Sequence, residues 1–151
     1  MNVFDEFKII ADNLAKSNIS YALVGGVAMA FHGEPRFTKD IDILIRMNSF
    51  QGVNKILSDC GYSESSEPWT FRNTNITLYR FTKAIGEDLL VIDILVGEDK
   101  KHLEIIDNAL EAKSDQSVVR VARKNDLIWL KTLRNSKQDQ VDIERLSDDK
   151  D

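Results

Sequence analysis

The chain has 151 residues, enough for one domain with a real core, and its 42% hydrophobic and 30% charged residues are an ordinary balance for a globular protein in water. No apolar run approaches the ~20 residues of a membrane helix, and the polar start of the chain does not read as a signal peptide, so a cytoplasmic protein is expected. A net charge of −5 argues against a chain built chiefly to bind nucleic acid, and the single cysteine, Cys60, excludes an internal disulfide and a cysteine-rich zinc site.

Phe4, Phe7, Ile10 and Leu14 recur at helical spacing, so residues 2–17 are expected to form an amphipathic helix. A short apolar strand at 21–24 stops at Gly25-Gly26, and a short helix over 27–31 ends near Gly33 and Pro35. Residues 40–46 alternate Ile41, Ile43 and Ile45, a strand pattern. Phe50, Val53, Ile56 and Leu57 predict a helix that ends at Gly61. Two strands, about 68–73 and 76–82, are expected to form a hairpin around Thr74-Asn75. Residues 89–96 are nearly all apolar and β-branched, as in a strand buried on both faces. A helix over 101–110 follows, with His102 at solvent, then a strand at 118–121. Leu127, Leu130 and Leu133 mark another helix, and residues 141–146 a last one, before a charged tail at 148–151. The sum is an α+β domain, a mixed sheet with helices packed on it. A single domain over 1–147 is expected, with its site-bearing core at about 21–96 and a helical part at about 124–147.

Asp40 and Asp42 are two apart on a strand, so both carboxylates share one face. Like charges that close repel each other, and a hard cation such as Mg²⁺ between them removes the repulsion. The plainer reading is an edge strand that meets water. Asp93 is the one charged residue in the apolar 89–96 strand. A carboxylate there is costly unless it is paired or ligates a metal, the other reading being a salt bridge or a solvated strand end. A third carboxylate beside an Asp-x-Asp pair is what two-metal phosphoryl chemistry requires. Gly25-Gly26 lies between strand and helix, where backbone N–H groups can face a phosphate, or form an ordinary turn.

The run LVGGVAMAFHGEPRFTKDIDILI, residues 23–45, resembles the active-site core of nucleotidyltransferases related to DNA polymerase beta. Its Arg36, Thr38, Asp40 and Asp42 form the Arg-x-Thr-x-Asp-x-Asp pattern of a small bacterial group, which includes abortive-infection toxins and antibiotic nucleotidyltransferases. The later run at 126–146, with Lys131 and, eight residues on, Asp139, resembles the helical tail of that group, although Ser136 stands near where its arginine usually lies; Arg134 or Lys137 is the substitute.

The resemblance implies a nucleotidyltransferase-like fold and two Mg²⁺ ions, or Mn²⁺, held by Asp40, Asp42 and Asp93. Asp93 would also serve the acceptor hydroxyl as base or orienting group. Gly25 and Gly26 would cradle the triphosphate of an NTP donor. Arg36, Thr38 and Lys131 join them as nucleotide-binding candidates, against readings as loop or solvent-facing residues. The acceptor would be an RNA end, a small-molecule antibiotic or a protein. An RNA acceptor would draw on Arg120, Arg123, Lys124, Lys131 and Arg134, which crowd into one stretch. No membrane is implied, and a homodimer or partner protein would complete the acceptor site. The competing class is a non-catalytic nucleotide- or partner-binding module, antitoxin-like or regulatory. His32 and the tryptophans Trp69 and Trp129 read as packing residues.

Overall fold

The computed structural model describes residues 3–33, 40–71, 74–114, 117–134 and 136–148. The first helix, α1 (Val3–Lys16), buries Phe7, Ile10, Ala11 and Leu14 on one stripe. Strand β1 (Tyr21–Val24), all of it buried, leads directly into α2 (Gly25–Phe31). Strand β2 (Asp40–Ile45) and α3 (Phe50–Asp59) follow. Next come β3 (Ser63–Glu64), β4 (Trp69–Thr70), β5 (Ile76–Ile85) and β6 (Asp88–Gly97). The chain continues through α4 (Lys100–Asp107), β7 (Leu110–Ser114) and β8 (Ser117–Val121) to α5 (Lys124–Arg134) and α6 (Lys137–Asp148).

These strands make one mixed sheet in the order β3-β5-β6-β2-β1-β8-β7, with β4 also paired to β5. The β1–β2 and β5–β6 pairs are antiparallel, whereas β2–β6 and β1–β8 are parallel. Along β2 the exposure changes character. Asp40 and Asp42 are half-buried around a buried Ile41, whereas Ile43, Leu44 and Ile45 are all fully buried. Its far end is therefore covered on both faces, and its aspartate end is open on one. Residues of β1, β2 and β6 join α1, α3 and α4 in one apolar core.

Several details depart from the sequence expectation. The helix expected to reach 110 stops at Asp107, and Leu110, half exposed, begins the edge strand β7. The two-residue β3 was not expected at all. His102 is buried rather than at solvent. Its ring packs edge-on to Trp129 at 6.0 Å and accepts a 3.3 Å hydrogen bond from the Asp99 backbone N–H. A Cβ on Gly97 would lie 2.4 Å from its Nδ1. Burial pushes the His102 pKa below its ordinary value. His32 packs as expected, its Nε2 2.8 Å from the Ala122 carbonyl.

Candidate active site

The register of the sheet builds a row of charges across three strands. Asp42 on β2 stands directly opposite Asp93 on β6, and Asp93 directly opposite Arg80 on β5. Neighbouring strands are about 4.8 Å apart, and side chains two apart on a strand share a face. Asp40, Asp42, Asp93 and Arg80 therefore meet on one face at the open end of β2. Arg80 donates from Nε to Asp93 Oδ1 at 2.8 Å and from Nη2 to Oδ2 at 3.0 Å. This two-pronged ion pair is how a carboxylate only 5% exposed is tolerated in an apolar strand.

Among the described residues Asp42 forms no such two-pronged ion pair. Burial first, then the charges of Asp93 and Asp40, push its pKa up to about 7, while Arg134 and Lys131 pull the other way. Its carboxylate lies against the backbone of Gly25, where a Cβ would fall 1.9 Å from Asp42 Oδ2. Gly25 also has a φ of +73°, so two independent constraints require glycine there. It opens α2, whose N-cap, Val24, makes no side-chain hydrogen bond to the first turn.

Helix α5 covers the aspartate face. Lys131, 4% exposed, donates to Asp142 Oδ2 at 2.9 Å and lies 4.0 Å from Asp139. Arg134 donates to Asp139 at 2.7 Å through Nη2 and 3.3 Å through Nε. Asp139 also accepts from the Ser136 hydroxyl at 2.7 Å and backbone N–H at 3.1 Å. Burial alone would raise the Asp139 pKa, but these bonds from Arg134 and Ser136 hold it below the ordinary carboxylate value. Asp139 and Asp142 are fully buried on α6 and fasten the two cations of α5 from behind.

Between sheet and helix lies a cavity of about 300 Å³. Gly25, Gly26, Asp40, Asp42, Asp93, Lys131 and Arg134 all line it. Of the expected site residues, Arg36 and Thr38 lie outside the described residues; the others converge here. Of the two residues expected to stand in for the tail arginine, Arg134 lines the cavity, and Lys137 is not among its lining residues. Lys131 is not the exposed lysine of the alternative reading. The basic stretch disperses: Arg120 donates to the Tyr21 and Ile106 carbonyls and Arg123 to Asp126, so among its described bonds these cations serve the fold.

Arg80, Asp142 and Trp69 were missed as site residues. Arg80 was legible in part, since it shares the parity of Ile76 and Leu78 on an apolar strand face. Trp69, expected in the core, is 38% exposed and lines the cavity.

The donor set suits Mg²⁺, a hard cation that takes carboxylate oxygens. A carboxylate has about four lone-pair sites, so the two bonds from Arg80 leave Asp93 capacity for an ion. As placed, no three acidic, histidine or cysteine side chains among the described residues close into a ligand cluster. The raised Asp42 pKa follows first from its burial and then from the charges of Asp93 and Asp40 beside it.

No curated protein matches the chain. A putative nucleotidyltransferase from Thermotoga maritima superposes with a TM-score of 0.65 over 99% of this chain and 97% of that one, at 13% identity. The lincosamide antibiotic adenylyltransferase LnuA, lincomycin-bound, gives 0.62 over 97% and 98%, at 16% identity. ANT(2″)-Ia in complex with adenylyl-2″-tobramycin gives 0.61 over 95% and 86%, at 15% identity. At these identities the likeness is one of fold. The sequence match is stronger evidence of kinship: residues 8–145 fit the family described as nucleotidyl transferase AbiEii toxin, Type IV TA system. The chain belongs to the AbiEii nucleotidyl transferase toxin family.

Proposed function

We propose that the chain transfers a nucleoside monophosphate from an NTP to an acceptor hydroxyl. The observation that carries this reading is the convergence of Asp40, Asp42 and Asp93 on one face, beneath Lys131 and Arg134, in a single cavity. The three aspartates would hold two Mg²⁺ ions, or Mn²⁺, which supply charge neutralisation at the attacking and leaving oxygens. The chain's own groups do the positioning. The Gly25-Gly26 turn brings backbone N–H groups to the triphosphate. Lys131 and Arg134 balance its charge from the opposite wall. Asp93, aimed by Arg80, orients the acceptor hydroxyl and accepts its proton. The acceptor oxygen bonds to the α-phosphorus, the bond from that phosphorus to the bridging oxygen breaks, and pyrophosphate leaves with the bond pair.

The test is incubation with each α-labelled NTP, Mg²⁺ and separate pools of RNA, protein and antibiotic acceptors. The tobramycin and lincomycin named with two structural neighbours support including aminoglycosides and lincosamides. Wild type is expected to label one pool and Asp93→Ala none. If no pool is labelled and no nucleotide binds in the presence of Mg²⁺, the transferase reading is wrong and the chain is a binding module.

A further inference from the structure

The cavity changes chemistry along the sheet. Along the sheet the row of Trp69, Leu78 and Leu95 lies one two-residue step beyond the charged row of Arg80, Asp93 and Asp42, and these residues line the cavity together with Phe71. Trp69 sits on the two-residue edge strand β4, directly opposite Leu78. Trp129 packs against the core, whereas Trp69 is 38% exposed. Its ring is nevertheless held. The Arg80 guanidinium lies 5.4 Å from the ring centroid, and Phe71 meets it edge-on at 6.5 Å and 82°. Arg80 is fixed in turn by Asp93. Trp69 is two strand spacings and one two-residue step from Asp93, about 12 Å by strand geometry and close to the span of a nucleoside monophosphate.

We propose that Trp69 is a stacking platform for a nucleobase, oriented by Arg80 and Phe71 on the apolar row of the cavity. The inference deepens the transferase reading and rests on it. A ligand that fills such a cavity needs a part that meets Mg²⁺ held on the aspartates, with Lys131 and Arg134 beside it, and a flat, weakly polar ring at Trp69. A nucleotide has both. A polycationic sugar antibiotic has neither. Stacking tolerates any base, because every base offers a π-face. The ring belongs either to the NTP donor or to the terminal nucleoside of an RNA acceptor.

The chain has two tryptophans, so Trp129→Phe leaves Trp69 as sole indole reporter. Its fluorescence is expected to be quenched by an NTP with Mg²⁺, which places the donor base on the platform, or by a short RNA alone, which places the acceptor base there. In otherwise wild-type protein, Trp69→Leu is expected to weaken binding of that same ligand about ten-fold, the worth of one stacked base, and Trp69→Phe to restore most of it. Quenching by neither, or only by an aminoglycoside, overturns the platform. So does an unchanged KM for both substrates in Trp69→Leu. If wild type transfers label but those results hold, the platform falls and the transferase stands. If wild type neither binds nor transfers nucleotide, the transferase reading falls first and takes the platform with it.

Discussion

Asp42 and Gly25 behave as one unit, because the carboxylate occupies the space a side chain at 25 would need. Gly25→Ala therefore meets both a collision and a left-handed φ. It is expected to cost at least about 2 kcal/mol of stability in urea unfolding and to displace Asp42. Unfolding at the wild-type midpoint would refute the close contact. The pH dependence of Asp42 has a definite sign. Its folded pKa of about 7 lies above that of an unfolded aspartate, so the folded state holds the proton more tightly. The group's contribution to stability is fully present below about pH 4 and lost as pH rises toward 7, by up to roughly 4 kcal/mol before allowance for solvent. Asp42→Asn should flatten that fall, and Mg²⁺ should offset it in wild type above pH 7. Parallel pH profiles for wild type and variant would show that the carboxylates do not repel as described. Arg80 gives a simpler case. Arg80→Gln leaves a buried carboxylate on Asp93 without its two-pronged partner and is expected to cost about 1–3 kcal/mol.

At the scale of elements, the α5–α6 pair combines structural and functional charge. Lys131 and Asp142 are almost wholly enclosed, so removing Asp142 takes from the buried Lys131 its 2.9 Å partner and leaves it the more distant Asp139 at 4.0 Å. Asp142→Leu alone is expected to cost about 3–5 kcal/mol, whereas Lys131→Met with Asp142→Leu should recover most of that stability. The double variant should still lose nucleotide transfer, because Lys131 also lines the cavity. If the double variant transfers normally, Lys131 is a structural residue only. The same pair marks how far the sequence could be read. Strands β1, β2 and β6 and helix α1 were legible because their apolar spacing reports burial directly. So was the shared face of Asp40 and Asp42, a consequence of strand parity. β7 was not legible: Leu110 continues the helical stripe of Leu103 and Ile106, and the strand exists only because β8 pairs with it. The Arg80–Asp93 fork and the exposed Trp69 depend on inter-strand register, which no local pattern encodes.

Over the whole molecule, the cavity joins distant parts of the chain. Its floor comes from β1, α2, β2, β5 and β6, and its roof from α5, whose cations are fastened by α6. A ligand with phosphates against Gly25 and Gly26 and charge partners on Lys131 and Arg134 would tie the sheet to the helical pair. Such a ligand binds only the folded chain, so it stabilises by mass action, about 2.7 kcal/mol at a hundred times its dissociation constant. For a chain of this length that is a rise in Tm of roughly 5–10 °C. Mg²⁺ and NTP together are expected to produce it, and either alone to produce less, because the carboxylates and the triphosphate repel each other without the cation. Hydrogen exchange should slow in β2 and in α5 at the same ligand concentration, since both walls close on one ligand. Protection confined to the sheet would mean that Lys131 and Arg134 do not reach the phosphates, and that α5 only roofs the cavity.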